Sequence, residues 1–166
     1  MTKFYIADTS VFLAKMKPSD VCITTPSVIT EVKDSSSSLF LELFCIDNCS
    51  ETVCIEQPRN ELIEQIKIVA AESGDLEQLS SADIDVLAKA LEYKPLSIIL
   101  TDDYRIQNIA KILDIAIQPI NQKPIKQTYK WIMVCSGCKR QVEASGLCPV
   151  CGSPVRRRRV RESKKI

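Results

Sequence analysis

The chain reads as an α/β protein: a parallel sheet flanked by helices, followed by a small C-terminal zinc ribbon. Three observations point there. Short apolar runs alternate with amphipathic stretches through residues 3–120, the pattern of strand–helix–strand crossovers. Eight cysteines include two C-x-x-C pairs, and histidine is absent. The charge is also divided: residues 1–129 hold 12 Lys+Arg against 19 Asp+Glu, and residues 130–166 hold 10 against 2, which gives −7 and +8 for a net +1.

These bulk features narrow the function classes. A length of 166 residues suits one domain plus a small module. With 45% hydrophobic and 26% charged residues, a soluble globular protein is expected. No apolar run approaches the roughly 18 residues of a membrane span. The opening "MTKFYIADTSVFLAKMKPSD" interrupts its apolar stretch with an acid and has no small-residue cleavage site, so a cytoplasmic setting without membrane is expected. Without histidine, catalysis has to rest on carboxylates, Lys, Tyr, thiols or metal-bound water.

Taken in order, residues 3–7 (Phe4-Tyr5-Ile6-Ala7 at their centre) form a strand that stops at Asp8. A β-branched stretch from Val21 to Thr25 leads into a short helix opened by Pro26, with Thr25 as a possible cap. "SSSSLFLELF" begins as a polar loop and becomes a helix or a strand. "ETVCIEQP" alternates like a strand and ends at Pro58. Residues 59–72 place Leu62, Ile63, Ile66, Val69 and Ala70 on one helical face, and Ser73-Gly74-Asp75 breaks that helix. Residues 79–93 form a helix capped by Ser80 or Ser81, with Ile84, Leu87, Ala88 and Leu91 as its apolar face. "LSIIL" at 96–100 has the continuous apolar character of a strand covered on both faces. Residues 102–115 form the next helix, and 115–120 a last short strand.

Several acids fall where this fold puts functional groups. Asp8 ends the first strand, and Asp102 and Asp103 follow the strand at 96–100. Open parallel sheets bind ligands at the carboxyl ends of their strands. Asp83 lies in the first turn of its helix and Glu31 on the helix after Pro26. Singly, each reads as a helix cap or a dipole partner. Converging, they would repel one another unless a cation joined them. Hard oxygen ligands select Mg²⁺ or Mn²⁺, and such a site suits phosphoryl chemistry.

Cys135-x-x-Cys138 and Cys148-Pro-Val-Cys151 supply four thiolates, enough for one closed structural Zn²⁺ site, with iron as a lesser alternative. Gly137 and Gly152 are read as the positive-φ positions of the two turns. The bland reading is redox or disulfide chemistry, which the doubled spacing disfavours. Cys22, Cys45, Cys49 and Cys54 read as small buried hydrophobes rather than a second site. Arg156, Arg157, Arg158, Arg159 and Arg161, with Lys164 and Lys165 beyond, are expected to contact phosphates in a largely sequence-independent way, against the alternative of a solvated tail. Tyr129 and Trp131 could stack on bases, although packing against ribbon or body is the commoner use of such residues.

The stretches "YIADTSVFL", "SVITEV", "LSSADIDVLAKAL" and "ILTDDYRIQNIA" resemble, in order, the four acidic motifs of PIN-domain nucleases. With a ribbon reading "CPVCGSP" and a basic end, the chain is similar to the small-subunit ribosome-maturation endonucleases of that family. The resemblance implies Mg²⁺/Mn²⁺-dependent cleavage of single-stranded precursor rRNA at the 3′ end of small-subunit rRNA. It implies catalytic roles for Asp8, Glu31, Asp83 and Asp103, with Asp102 as second candidate for the fourth acid. Asp8, Asp83 and Asp103 would hold the metal, and Thr9, Ser10 and Thr101 would be its hydroxyl neighbours. Asp85 is left out because it points nearly opposite to Asp83. The small ribosomal subunit is the expected partner, and no protein partner is legible. The expected organisation is a PIN-like domain at 1–120, a linker at 121–130, the ribbon at 131–157 and a basic tail at 158–166. The rival readings are a non-catalytic RNA-binding assembly factor and a PIN toxin.

Overall fold

The computed structural model describes residues 3–16, 21–33, 35–46, 53–143 and 145–161. Five parallel strands form the central sheet: β1 (Phe4–Ala7), β2 (Cys22–Thr24), β3 (Val53–Ile55), β4 (Ser97–Leu100) and β5 (Ala116–Gln118), in the order β3-β2-β1-β4-β5. The chain winds outward from β1 through β2 to β3, then returns to the other side of β1 for β4 and β5. The switch point, where open sheets of this kind bind ligands, therefore lies between β1 and β4. Their register pairs Ala7 with Leu100, so Asp8 and Thr101 leave the sheet side by side.

Among the described residues, six α-helices cover the sheet: α1 (Thr9–Leu13), α2 (Pro26–Glu31), α3 (Ser35–Ile46), α4 (Asn60–Ser73), α5 (Ser81–Glu92) and α6 (Tyr104–Ile112). The ambiguous "SSSSLFLELF" is thus helical. Of the strand expected over 51–58, residues 51 and 52 lie outside the described residues; among the rest β3 covers Val53–Ile55 and ends before Pro58 and the start of α4. Thr25 takes the N-cap position of α2, yet its hydroxyl meets Ser27 Oγ at 2.9 Å instead of capping. Among the described residues, no helix is long and apolar enough to cross a membrane.

The core gathers Ile6, Phe12, Ile23, Ile66, Leu87 and Ile99, all essentially solvent-free. α5 is buried on more than the face its periodicity marks: Ala82, Val86, Lys89 and Ala90 are inside as well. Lys89 is 2% exposed, and its ammonium bonds Glu56 at 3.2 Å and Glu92 at 3.0 Å. A buried cation is tolerated only with such partners.

A second, antiparallel sheet forms the ribbon, in the order β7-β6-β8, from β6 (Tyr129–Cys135), β7 (Gln141–Val142) and β8 (Val155–Arg161). Arg156–Arg161 therefore do not begin a tail. They are one strand paired along its whole length with β6, from Tyr129↔Arg161 to Cys135↔Val155. No element boundary falls at 157/158, and Tyr129 and Lys130, expected in the linker, already belong to β6. Lys164 and Lys165 lie outside the described residues, as do Cys49 and the side chain of Cys45. Cys22 is buried on β2 and Cys54 half-buried on β3.

The ribbon is docked on the body. Asn108 on α6 donates to Tyr129 O at 2.9 Å and accepts from Tyr129 N at 2.8 Å. The same amide donates to buried Asp75, which also accepts from Ser73 Oγ and from Trp131 Nε1. Arg157 donates to Gly74 O and lies over the Trp131 ring, 4.4 Å from its centre. The residues after β5 are fastened as well: Gln107 accepts from Ile125 N at 3.1 Å, and Lys111 donates to Ile125 O at 3.0 Å.

Gly74 ends α4 with φ +78°, and a Cβ there would lie 2.9 Å from Trp131 Cβ. Both conformation and space call for glycine. Gly74→Ala is expected to destabilise the full chain by about 1–3 kcal/mol, measured by urea denaturation.

Candidate active site and metal centre

The acids at the switch point are first of all helix caps. Asp8 is the N-cap of α1: Oδ1 accepts from Thr9 N at 2.6 Å, while Oδ2 accepts from Ser10 Oγ at 3.0 Å and Thr101 Oγ1 at 2.7 Å. Asp103 is the N-cap of α6, with Oδ1 accepting from Arg105 N at 2.6 Å. Asp83 completes a capping box on α5: Ser80 Oγ accepts from Asp83 N, and Asp83 Oδ2 accepts from Ser80 N at 2.7 Å. Three helix N-termini thus bring their carboxylates to one edge, and the positive ends of their dipoles support negative charge there.

These three acids feel one another. Burial pushes the Asp8 carboxyl above its ordinary 3.8; hydrogen bonds from Thr101, Thr9 and Ser10 oppose the shift, and the charge of Asp103 adds to it. Burial also pushes Asp83 up to about 6, with Asp8 and Asp103 contributing by repulsion. Glu31, at the end of α2, is exposed and joins the group through a hydrogen bond from Thr9 Oγ1 at 3.2 Å. Asp85 accepts from Ser27 Oγ at 2.7 Å and so faces α2.

Asp102 takes a different place from its neighbour. Its carboxylate accepts from the backbone amides of Ile120, Asn121 and Gln122 at 2.9–3.2 Å, which ties down the loop after β5. Partial burial raises its pKa, but these amide donors outweigh that and leave it below the usual value.

The second cluster is in the ribbon. The Sγ atoms of Cys135, Cys138, Cys148 and Cys151 lie within 4.8 Å of one another. Cys135 and Cys151 approach to 3.4 Å, and Cys138 and Cys148 to 3.8 Å. Four sulfurs about 2.3 Å from a central zinc would stand about 3.8 Å apart, so the quartet fits one tetrahedral ion with no position left for water. Among the described residues it is the group of three or more ligand side chains that closes to that spacing; the acids are set more widely. Gly137 serves a different purpose from the one its sequence suggested. It does not have positive φ; a Cβ there would run into Ser153 Oγ and come within 3.4 Å of Cys151 Sγ. The left-handed position is Lys139, φ +63°, beside the expected Gly152 at +69°.

Asp75, Gln107 and Asn108 carry no functional assignment from the sequence, although Gln107 and Asn108 lie within "TDDYRIQNIA". All three are buried polar groups. A polar pair on the otherwise apolar inward face of α6 is the available signal.

An acidic edge on this parallel sheet is the architecture of a PIN-type ribonuclease, and residues 5–93 match the family described as PIN domain of ribonuclease. The chain is 37% identical over 163 residues to Endoribonuclease Nob1 of Archaeoglobus fulgidus, covering 96% of this chain and 93% of that relative. It is 38% identical over 154 residues to Endoribonuclease Nob1 of Pyrococcus abyssi, covering 91% of each. It is 34% identical over 157 residues to Ribonuclease VapC1 of Thermoplasma acidophilum, covering 92% of this chain and 77% of that protein. The chain belongs to the Nob1 family of PIN-domain endoribonucleases.

In the folded protein Asp83 keeps its proton up to about pH 6, whereas the unfolded chain loses it near 3.8. Any stability linked to this group is therefore fully present below about pH 4 and is lost as pH rises through 6. Carbon-13 NMR of the metal-free chain should place the Asp83 midpoint near 6. Asp8→Asn should lower it only part of the way, because burial is the larger cause.

Proposed function

We propose that this chain is a cytoplasmic endoribonuclease, dependent on Mg²⁺ or Mn²⁺, that cuts single-stranded precursor rRNA at the 3′ end of the small-subunit rRNA. The observation that carries the reading is the gathering of Asp8, Asp83 and Asp103, each fixed at a helix N-terminus, at the switch point of the sheet. Carboxylates so placed are stabilised by a divalent cation, and oxygen donors select a hard one. The reaction class follows the Nob1 relatives; the substrate follows the likeness of the ribbon and motifs to small-subunit maturation endonucleases.

In this reading Asp8, Asp83 and Asp103 hold the metal. When bound, the metal would acidify water and neutralise charge on the phosphate. Thr101 and Ser10 hold the Asp8 carboxylate in one orientation. Glu31, linked to Thr9, holds metal or orients the attacking water. Asp102 positions the loop after β5 and is not a ligand. Cys135, Cys138, Cys148 and Cys151 hold one structural Zn²⁺, and Arg156, Arg158 and their neighbours on β8 meet the phosphates of the small-subunit RNA.

Asp8→Asn should lower cleavage of an RNA spanning the small-subunit 3′ end by at least about a hundredfold in Mn²⁺, with RNA binding retained. Equal cleavage by that variant would sink the metal-site reading. RNA that binds tightly to the parent chain but stays whole in both metals would favour the non-catalytic assembly factor instead. Separately, Mn²⁺ should raise the Tm of the zinc-loaded chain more at pH 7.5 than at pH 5, where Asp83 is protonated. An equal rise at both pH values would remove Asp83 from the ligand set.

A further inference from the structure

Between α6 and the ribbon lies a groove of about 240 Å³, lined among others by Tyr104, Arg105, Lys126, Tyr129, Trp131 and Arg159. Three features set it apart. First, its chemistry runs against its surroundings. The body carries 12 basic and 19 acidic residues through position 129, yet this wall offers three cations against buried Asp75, whose oxygens already accept from Asn108, Ser73 and Trp131. Second, aromatic surface is interleaved with the charge. Tyr104 is 53% exposed, and the Arg159 guanidinium lies over the Tyr129 ring, 4.3 Å from its centre. Third, it is continuous with the acid edge. Tyr104 and Arg105 directly follow Asp103, and Arg105 Nη1 reaches the Asp103 carboxylate at 3.8 Å.

Unpaired RNA bases need π-faces to stack on, and their phosphates need cations at short intervals. A duplex could not present its bases to a groove of this size. We infer that the groove between α6 and the ribbon is a subsite for an unpaired nucleotide of the RNA strand, next to the phosphate held at Asp8, Asp83 and Asp103. This rests on the endoribonuclease reading for its ligand, and it adds a place for the strand off the acid edge. The base stacks among Tyr104, Tyr129 and Trp131, and Arg105, Lys126 and Arg159 take the flanking phosphates. The alternation along β8 then divides the arginines. Arg157, Arg159 and Arg161 pair across from Met133, Trp131 and Tyr129 on the body side, whereas Arg156 and Arg158 pair across from Val134 and Ile132 on the other face.

Trp131 is the chain's single tryptophan, so its emission reports on this groove. The test uses the full zinc-loaded chain carrying Asp8→Asn, which holds RNA uncut, and a labelled single-stranded oligoribonucleotide of about ten bases. Binding is followed by anisotropy of the label and, in parallel, by Trp131 fluorescence. Saturable quenching by the single strand is expected, with little by the matching duplex. Adding Tyr104→Ala or Lys126→Glu should weaken the Kd about tenfold and reduce the quenching. Binding seen by anisotropy without quenching, or quenching that neither substitution changes, overturns the subsite. Absence of binding overturns it as well. The nuclease reading is judged apart from this, by Mn²⁺-dependent cleavage with the parent chain: cleavage without a groove signal removes only the subsite, and a groove signal without cleavage removes only the nuclease.

Discussion

The hydrogen bond from Thr101 Oγ1 to Asp8 Oδ2, 2.7 Å long and buried, joins the ends of the two central strands. It follows from register, since Ala7 pairs with Leu100 and the next residue of each strand emerges at the switch point. Thr101 then connects the site in two further directions. Its hydroxyl accepts from Asp103 N, and its carbonyl accepts from Gln107 Nε2. Gln107 in turn holds Ile125. A single threonine thus fixes one acid, aligns another and anchors the connection to the ribbon. A buried hydroxyl with every partner satisfied is rigid because any alternative position leaves a polar group unpaired.

Capping and site chemistry are not competing explanations of these acids. Asp8, Asp83 and Asp103 each use an oxygen on a helix N-terminus. The cap fixes the carboxylate in place without neutralising it, since amide donors favour the charged form. For Asp8 and Asp83, burial, with smaller contributions from neighbouring acids, pulls the other way, toward the protonated form. The edge is therefore poised: preorganised for negative charge by its helices, and short of positive charge to balance it.

Much of this was legible in the sequence. The strand that stops at Asp8, the apolar run before Thr101 and the doubled C-x-x-C are local patterns with a physical cause, and local patterns survive folding. What escaped depends on partners distant in the chain. Asp102 and Asp103 are chemically identical neighbours, and only the amides at 120–122 assign one of them to a loop. Four consecutive arginines hide the two-residue period of a strand, and pairing with β6 is what makes one. Lys89 looks like a solvent residue until α5 is seen covered on most sides. Asp75 reads as a helix breaker, which it is, but its carboxylate also receives the indole of Trp131. Gly137, beside Cys138, suggests a positive-φ turn, whereas the structure needs it for space.

The short helix α6 carries Asp103 at its head and Asn108 on its flank, one in the acid edge and one gripping the backbone of Tyr129. Five residues separate them, roughly 7.5 Å along the axis and about one and two-fifths turns around it. That interval works as a gauge: it sets both the spacing and the angle between the place where a strand of RNA would be cut and the module that would grip it. A single residue inserted there would turn Asn108 about 100° around the helix relative to Asp103, so the phosphate presented for cutting would be a different one, or none.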